Sequence, residues 1–187
     1  MHRFAIYACA LLAALAGAGC STMAPPYSAS MADVQKLKDA GPIAAKVGTF
    51  ASSSDPANAN PITLRASSMT SPYGNSYAEY LAEAVKQELL LAGKLAPTAD
   101  VEVSGVLLKN DISIASFSVG YGDISARFVV KKAGEVRYDQ VKTAHTEFES
   151  SFAGAIAIPR GRDAYPQLVQ SLLTTLLTDA SFMEALK

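Results

Sequence analysis

Two stretches of the chain repeat apolar residues at three- and four-residue steps, and the region between them alternates apolar with polar residues. The first stretch runs from Asn75 to Gly93, with Tyr77, Leu81, Val85, Leu89 and Ala92 on one helical face. Its ends are marked as well. Ser76-Tyr77-Ala78-Glu79 is a capping box with Ser76 as N-cap, and Gly93 suits the left-handed residue that closes a helix. The second runs from about Tyr165 to Thr178, where Leu168, Leu172 and Leu176, flanked by Val169, Leu173 and Leu177, form a broad stripe. Pro166 fits there because the first turn of a helix needs no intrahelical N–H. Asp179 to Leu186 predicts a short terminal helix.

Between the helices lie three strand-like segments, Val101 to Ile114, Phe117 to Lys132 and Glu135 to Phe148. Ile124, Ala126, Phe128 and Val130 alternate with Ser125, Arg127 and Val129, so one face is buried and the other meets water. Ala133-Gly134 makes the turn, after which Val136 and Tyr138 resume the alternation. Earlier in the chain, Asp33 to Ala40 predicts a helical turn, Ile43 to Phe50 an opening strand, and the Ser-, Asn- and Pro-rich Ala51 to Pro61 a loop or long hairpin end, flexible around Asp55 to Asn60. The expected architecture is α+β, an antiparallel β-meander with two main helices packed on one face.

The N-terminus changes the picture, because its first 19 residues read as an export signal and not as fold. Arg3 supplies a positive start, and Phe4 to Gly19 is an uncharged run of 16 residues, shorter than the ~20 needed to span a bilayer comfortably. Ala14-Leu15-Ala16 and Ala16-Gly17-Ala18 both fit ordinary signal peptidase cleavage, which would leave a soluble periplasmic or secreted protein. Ala18-Gly19-Cys20, by contrast, resembles the end of a bacterial lipobox, although Gly17 stands where a branched residue is usual. That resemblance implies acylation of Cys20 and cleavage before it. Two or more acyl chains anchor a protein stably where one does not. By resemblance to enteric lipoproteins, Ser21 in place of Asp favours the periplasmic face of the outer membrane. The expected organisation is a signal peptide at 1–19, a lipidated N-terminus and flexible tether at 20–40, and a single α+β domain at 41–187.

Removing the signal also thins the chemical inventory. The 168 residues from Cys20 onward carry 15 Lys plus Arg against 17 Asp plus Glu, scattered along the chain, so nucleic acid is not an expected partner. One His and one Cys remain, too few for a zinc site, and Asp55, Asn58 and Asn60 lack the Gly and closing Glu of a calcium loop. His145 lies in a strand among Thr and Glu, and no G-x-S-x-G elbow occurs. Neither an enzymatic activity nor a cofactor is expected.

Two surfaces qualify for binding. From Ile112 to Gly122 no residue is charged, and Ile112, Ile114, Phe117, Val119 and Tyr121 are separated only by small or polar residues. This segment is either an edge or groove that accepts a partner or lipid, or a buried pair of strand ends. A second uncharged run, Ser150 to Pro159, could line the same space. Arg160 and Arg162, placed just before the expected second helix, form a candidate anion contact.

The order of these parts carries a family resemblance. The lipobox, Tyr80-Leu81-Ala82-Glu83-Ala84-Val85-Lys86-Gln87-Glu88-Leu89, Ala99-Asp100-Val101-Glu102-Val103, and Leu172 to Asp179 before Phe182 resemble small proteobacterial outer-membrane lipoproteins of the YajG type. Auxiliary lipoproteins of ABC-type lipid transport systems are similar in outline. The resemblance implies a non-enzymatic envelope protein, anchored by its lipid, that acts as an interaction or assembly module with an envelope protein or a second copy. The alternative is a lipid-handling accessory of an envelope transport system.

Overall fold

The computed structural model describes residues 20–187, in the order β1 (Cys20–Met23), α1 (Met31–Asp39), β2 (Ala45–Ser52), β3 (Ile62–Leu64), β4 (Ser67–Thr70), α2 (Tyr77–Leu91), β5 (Val101–Ser113), β6 (Val119–Lys132), β7 (Glu135–Glu149), α3 (Gly154–Leu177) and α4 (Ala180–Ala185). The main sheet has the order β2-β5-β6-β7, and a smaller one the order β1-β4-β3. β5, β6 and β7 form the expected antiparallel meander, while β2 joins β5 in parallel through the crossover that contains α2. The class is α+β, as the alternation and periodicity predict.

The buried face of the meander is the one the sequence marks. Ile124, Ala126, Phe128 and Val130 of β6 sit in the core beside Val101, Val103 and Leu107 of β5. α2 and α3 cover them with Leu81, Val85 and Leu89 and with Leu168, Leu172 and Leu176. Ser76 caps α2, its Oγ accepting from Glu79 N at 3.2 Å, and Gly93 takes a φ of +69° just beyond the helix end. At the β6–β7 turn Ala133 and Gly134 both have positive φ, the geometry that lets a two-residue hairpin follow the strand twist.

Three expectations need correction. Ser21 to Ala32 is not a tether: β1 pairs with β4, Ala24 and Tyr27 are buried, and the Tyr80 hydroxyl donates to Pro25 O at 2.8 Å. Residues from Cys20 onward are thus built into the fold, and the boundary at 40 does not separate anything. Ala51 to Pro61 is not free either, since Asn58 Nδ2 donates to Ser53 O and Leu107 O, Ala59 N donates to Asn110 O, and Asn110 N donates to Ala57 O. The last long helix starts at Gly154, eleven residues earlier than Pro166 suggests, and contains both Pro159 and Pro166. Each proline removes one helical hydrogen bond. Packing offsets this, because Ala157, Gly161, Ala164 and Tyr165 are all buried on the near face. A side chain at Gly161 would lie 3.0 Å from Ile114 Cγ2.

At the far end, Asp179 caps α4 by accepting from Ser181 N at 2.8 Å and also accepts from the Tyr138 hydroxyl at 2.9 Å and Lys142 Nζ at 2.5 Å. The Lys142 ammonium is the main influence holding its carboxyl down at about 2. A depressed carboxylate stabilises the fold above its unfolded pKa, and that contribution fades as pH falls from about 4 toward 2. Asp179→Asn is thus expected to cost about 1–2 kcal/mol at neutral pH and to converge with wild type near pH 2 in urea titrations.

Candidate functional site

The uncharged segment Ile112 to Gly122 is divided by the fold into three environments. Ile112 and Ile114 are in the core, which is the buried-strand-end alternative for these two. Val119 is half-buried in β6, and Tyr121 points from the same strand to the uncovered face of the main sheet. There its ring stacks on His145 with centroids 5.8 Å apart. Phe117 lies in the β5–β6 connection and is 69% exposed. The five residues do not make one groove.

Phe117 has instead a partner from the second uncharged run. Phe152, 76% exposed in the β7–α3 connection, places its ring 5.4 Å from that of Phe117, and Ile156 is exposed in the first turn of α3. The two loops are joined by a residue that carried no signal in the sequence. Arg65, in the β3–β4 turn with φ +57°, donates through Nε and Nη2 to Ile114 O, through Nη2 to Ser151 O at 2.7 Å and through Nη1 to Phe152 O at 2.6 Å. One guanidinium thus fixes three chain segments by charge-assisted bonds to carbonyls.

Arg160 and Arg162 do not flank a helix N-terminus. Both lie inside α3, where Arg160 pairs with Glu149 at 3.3 Å and donates to Ser150 O, and Arg162 pairs with Asp163 at 2.8 Å. Their charges are engaged by neighbouring carboxylates, so the geometry that motivated an anion contact is missing. His145 makes polar contacts with Asp123 at 3.1 Å and Glu147 at 3.9 Å. Among the described residues no group of three His, Cys, Asp or Glu side chains is arranged to hold a metal ion.

The uncovered face of the main sheet is a further surface. Val106 of β5, Arg127 of β6 and Val141 of β7 share one cross-strand row, with Ser104, Val129 and Asp139 in the next. Val141 is exposed and Val106 and Val129 are half-buried. The Arg127–Asp139 ion pair runs between the valines, and Lys109–Asp123 at 3.6 Å lies farther along the same strands. Behind the sheet, an apolar crevice lined by Leu37, Val103, Leu173 and Phe182 reaches the buried carboxyl of Glu88 and admits roughly one water molecule.

Cys20 opens β1, and its backbone is in register with Ser67 of β4. The segment behind it is fastened by side chains: Tyr27 OH donates to Glu88 Oε1 at 2.6 Å, Ser30 N to the same oxygen at 2.8 Å, and Gln170 Nε2 to Ser28 O at 2.6 Å. Residues 1–19, the expected export signal, lie outside the described residues. No described helix is long and apolar enough to cross a membrane.

No family profile and no curated protein matches the chain. Solved structures do. A hypothetical protein, CT253, from Chlamydia trachomatis is similar at 10% identity and TM-score 0.44, over 72% of this chain and 95% of its own. A candidate lipoprotein from Caulobacter crescentus CB15 is similar at 10% identity and TM-score 0.48, over 82% of this chain and 96% of its own. Protein XCC0632 from Xanthomonas campestris, of family DUF330, is similar at 14% identity and TM-score 0.57, over 87% of this chain and 96% of its own, and with it this chain shares its fold.

Proposed function

We propose that this chain is a non-enzymatic lipoprotein of the bacterial envelope, acylated at Cys20, held at the periplasmic face of the outer membrane, and working by engagement of a protein partner. The open sheet face carries the second half of this reading. Three long strands carry valines in adjacent rows crossed by the Arg127–Asp139 ion pair, the mixed composition of a surface that can be covered and uncovered. The lipid-handling alternative needs a cavity for an acyl chain; the enclosed apolar crevice at Glu88 has room for about one water, and roomier clefts, such as that beside Thr63, Arg65 and Asp111, are open to solvent and partly charged. The resemblance to YajG-type lipoproteins supports an envelope role without specifying a partner.

The test is intact mass and membrane fractionation of wild type and Cys20→Ala. Wild type is expected in the membrane fraction, beginning at Cys20 and heavier by its acyl chains, with Cys20→Ala lacking them. An unacylated, soluble wild type would overturn the anchor. Extraction in mild detergent then separates the two roles, a stoichiometric protein favouring the interaction module and a bound lipid on a monomer favouring the accessory.

A further inference from the structure

We propose that the end of the domain bearing Phe117, Phe152 and Ile156 is seated in the membrane interface beside the acyl chains of Cys20, which fixes the protein on the bilayer in one orientation. The inference rests on the anchored reading and adds to it a contact that the lipid alone would not supply.

Three observations meet at this end. The apolar tip is real surface: two phenylalanine rings in contact with each other, 69% and 76% exposed, with Ile156 beside them. The segments that carry them, Ile112 to Gly122 and Ser150 to Pro159, contain no charged residue. The described chain also begins here. Cys20 is in register with Ser67, about 5 Å away across the strand pair, and Ser67 is two residues from Arg65, whose guanidinium holds the carbonyls of Ile114, Ser151 and Phe152. β1 then runs away from the tip, parallel to β4, as far as Ala24 N bonding to Thr70 O at 2.9 Å. An acyl group on Cys20 and the Phe117–Phe152 pair are therefore presented by one rigid end of the molecule.

The occupant that fits is a lipid surface. Phenylalanine has no polar handle to satisfy, and the nearby cations are already committed, Arg65 to backbone carbonyls and Arg160 to Ser150 O and Glu149. Because β1 is built into the fold, a membrane that holds the lipid must meet whatever lies next to Cys20. Burying two phenyl rings removes on the order of 300 Å² of apolar surface from water. With little charge involved, the contact should depend weakly on salt and on headgroup charge.

The chain contains no Trp, so a single introduced one reports on its own surroundings. Phe117→Trp is compared with Val136→Trp, which lies next to the β6–β7 turn at the other end of a 14-residue strand. Both acylated proteins are reconstituted in phosphatidylcholine–phosphatidylethanolamine vesicles with and without brominated chains. The expected result is a blue shift and roughly half the emission lost to bromine for Phe117→Trp, with Val136→Trp unaffected. If the protein floats with the vesicles and the Phe117→Trp signal is unquenched, the tip is not in the membrane and the inference fails while the anchor stands. A blue shift without bromine quenching, with a doubled mass or a bound protein, assigns the tip to a second copy or a partner and also overturns it. Failure to float removes the anchor itself.

Discussion

Tyr165→Ala is expected to destabilise the fold by about 4 kcal/mol, the middle of the range for truncating a buried aromatic residue. Tyr165 of α3 is fully buried where it meets α2, with its ring 4.9 Å from Tyr77 and 5.0 Å from Tyr80 by centroid. Burial is the main reason its phenol, like those of Tyr77 and Tyr80, titrates far above the ordinary range. Its hydroxyl donates to Asn110 Oδ1 at 2.9 Å, and Asn110 Nδ2 in turn holds Ala59 O at 3.1 Å. Alanine would open a cavity between the two helices and leave the buried Asn110 oxygen without that donor. Tyr165→Phe separates the two effects: it keeps the ring, and should lose only about 1–2 kcal/mol for the unpaired acceptor. Urea unfolding of the signal-less Cys20→Ala chain measures both. If Phe costs as much as Ala, the hydrogen bond to Asn110 carries the site and the aromatic packing does not.

The same residue shows what the sequence could and could not reveal. Helix α2 was legible from end to end because Ser76, Glu79 and Gly93 act through the backbone of their own few residues. The meander was legible because strands of 13 to 15 residues give the two-residue period time to establish itself. β1, β3 and β4 were not, since three or four residues cannot display a period, and their stability comes from pairing partners more than 40 residues away for β1 and β4. The start of α3 was hidden by Pro159 and Pro166, whose local cost is outweighed by burial of Gly161 and Tyr165 against strands and helices remote in the chain. The candidate surface was half legible: the missing charges flagged both uncharged runs, but no local pattern could separate Ile112 and Ile114, which face the core, from Phe117, which leaves it. Arg65 was silent because an arginine after a short apolar stretch looks like any solvated one. Its three carbonyl partners come from two distant loops.

Glu88→Ala is expected to cost about 3–4 kcal/mol and, beyond that, to loosen the segment that carries the lipid. Glu88 lies on the buried face of α2, and one of its oxygens receives both Tyr27 OH and Ser30 N while the other has no partner and is closed off beside the apolar crevice. Burial raises its pKa, the bonds from Tyr27 and Ser30 pull against that, and Asp33 raises it further. A raised carboxyl binds its proton more tightly in the folded chain than in the unfolded one. Its contribution is therefore complete below the unfolded value of about 4.3 and is lost as pH rises through the folded value. Glu88→Gln keeps an acceptor for Tyr27 and Ser30 and cannot ionise, so its stability should fall less between pH 4.5 and 7 than that of wild type, whereas Glu88→Ala should be weaker at every pH. Hydrogen exchange at 24–30 distinguishes a local from a global effect: with Ala these amides should exchange faster than those of β5 and β6. Equal protection in the variant would mean that β1–β4 pairing, Tyr80 and Gln170 suffice to hold the segment. Faster exchange would make Glu88 the residue that turns a lipid attachment point into a rigid mount, because both hydrogen bonds its carboxylate accepts come from the short stretch between β1 and α1.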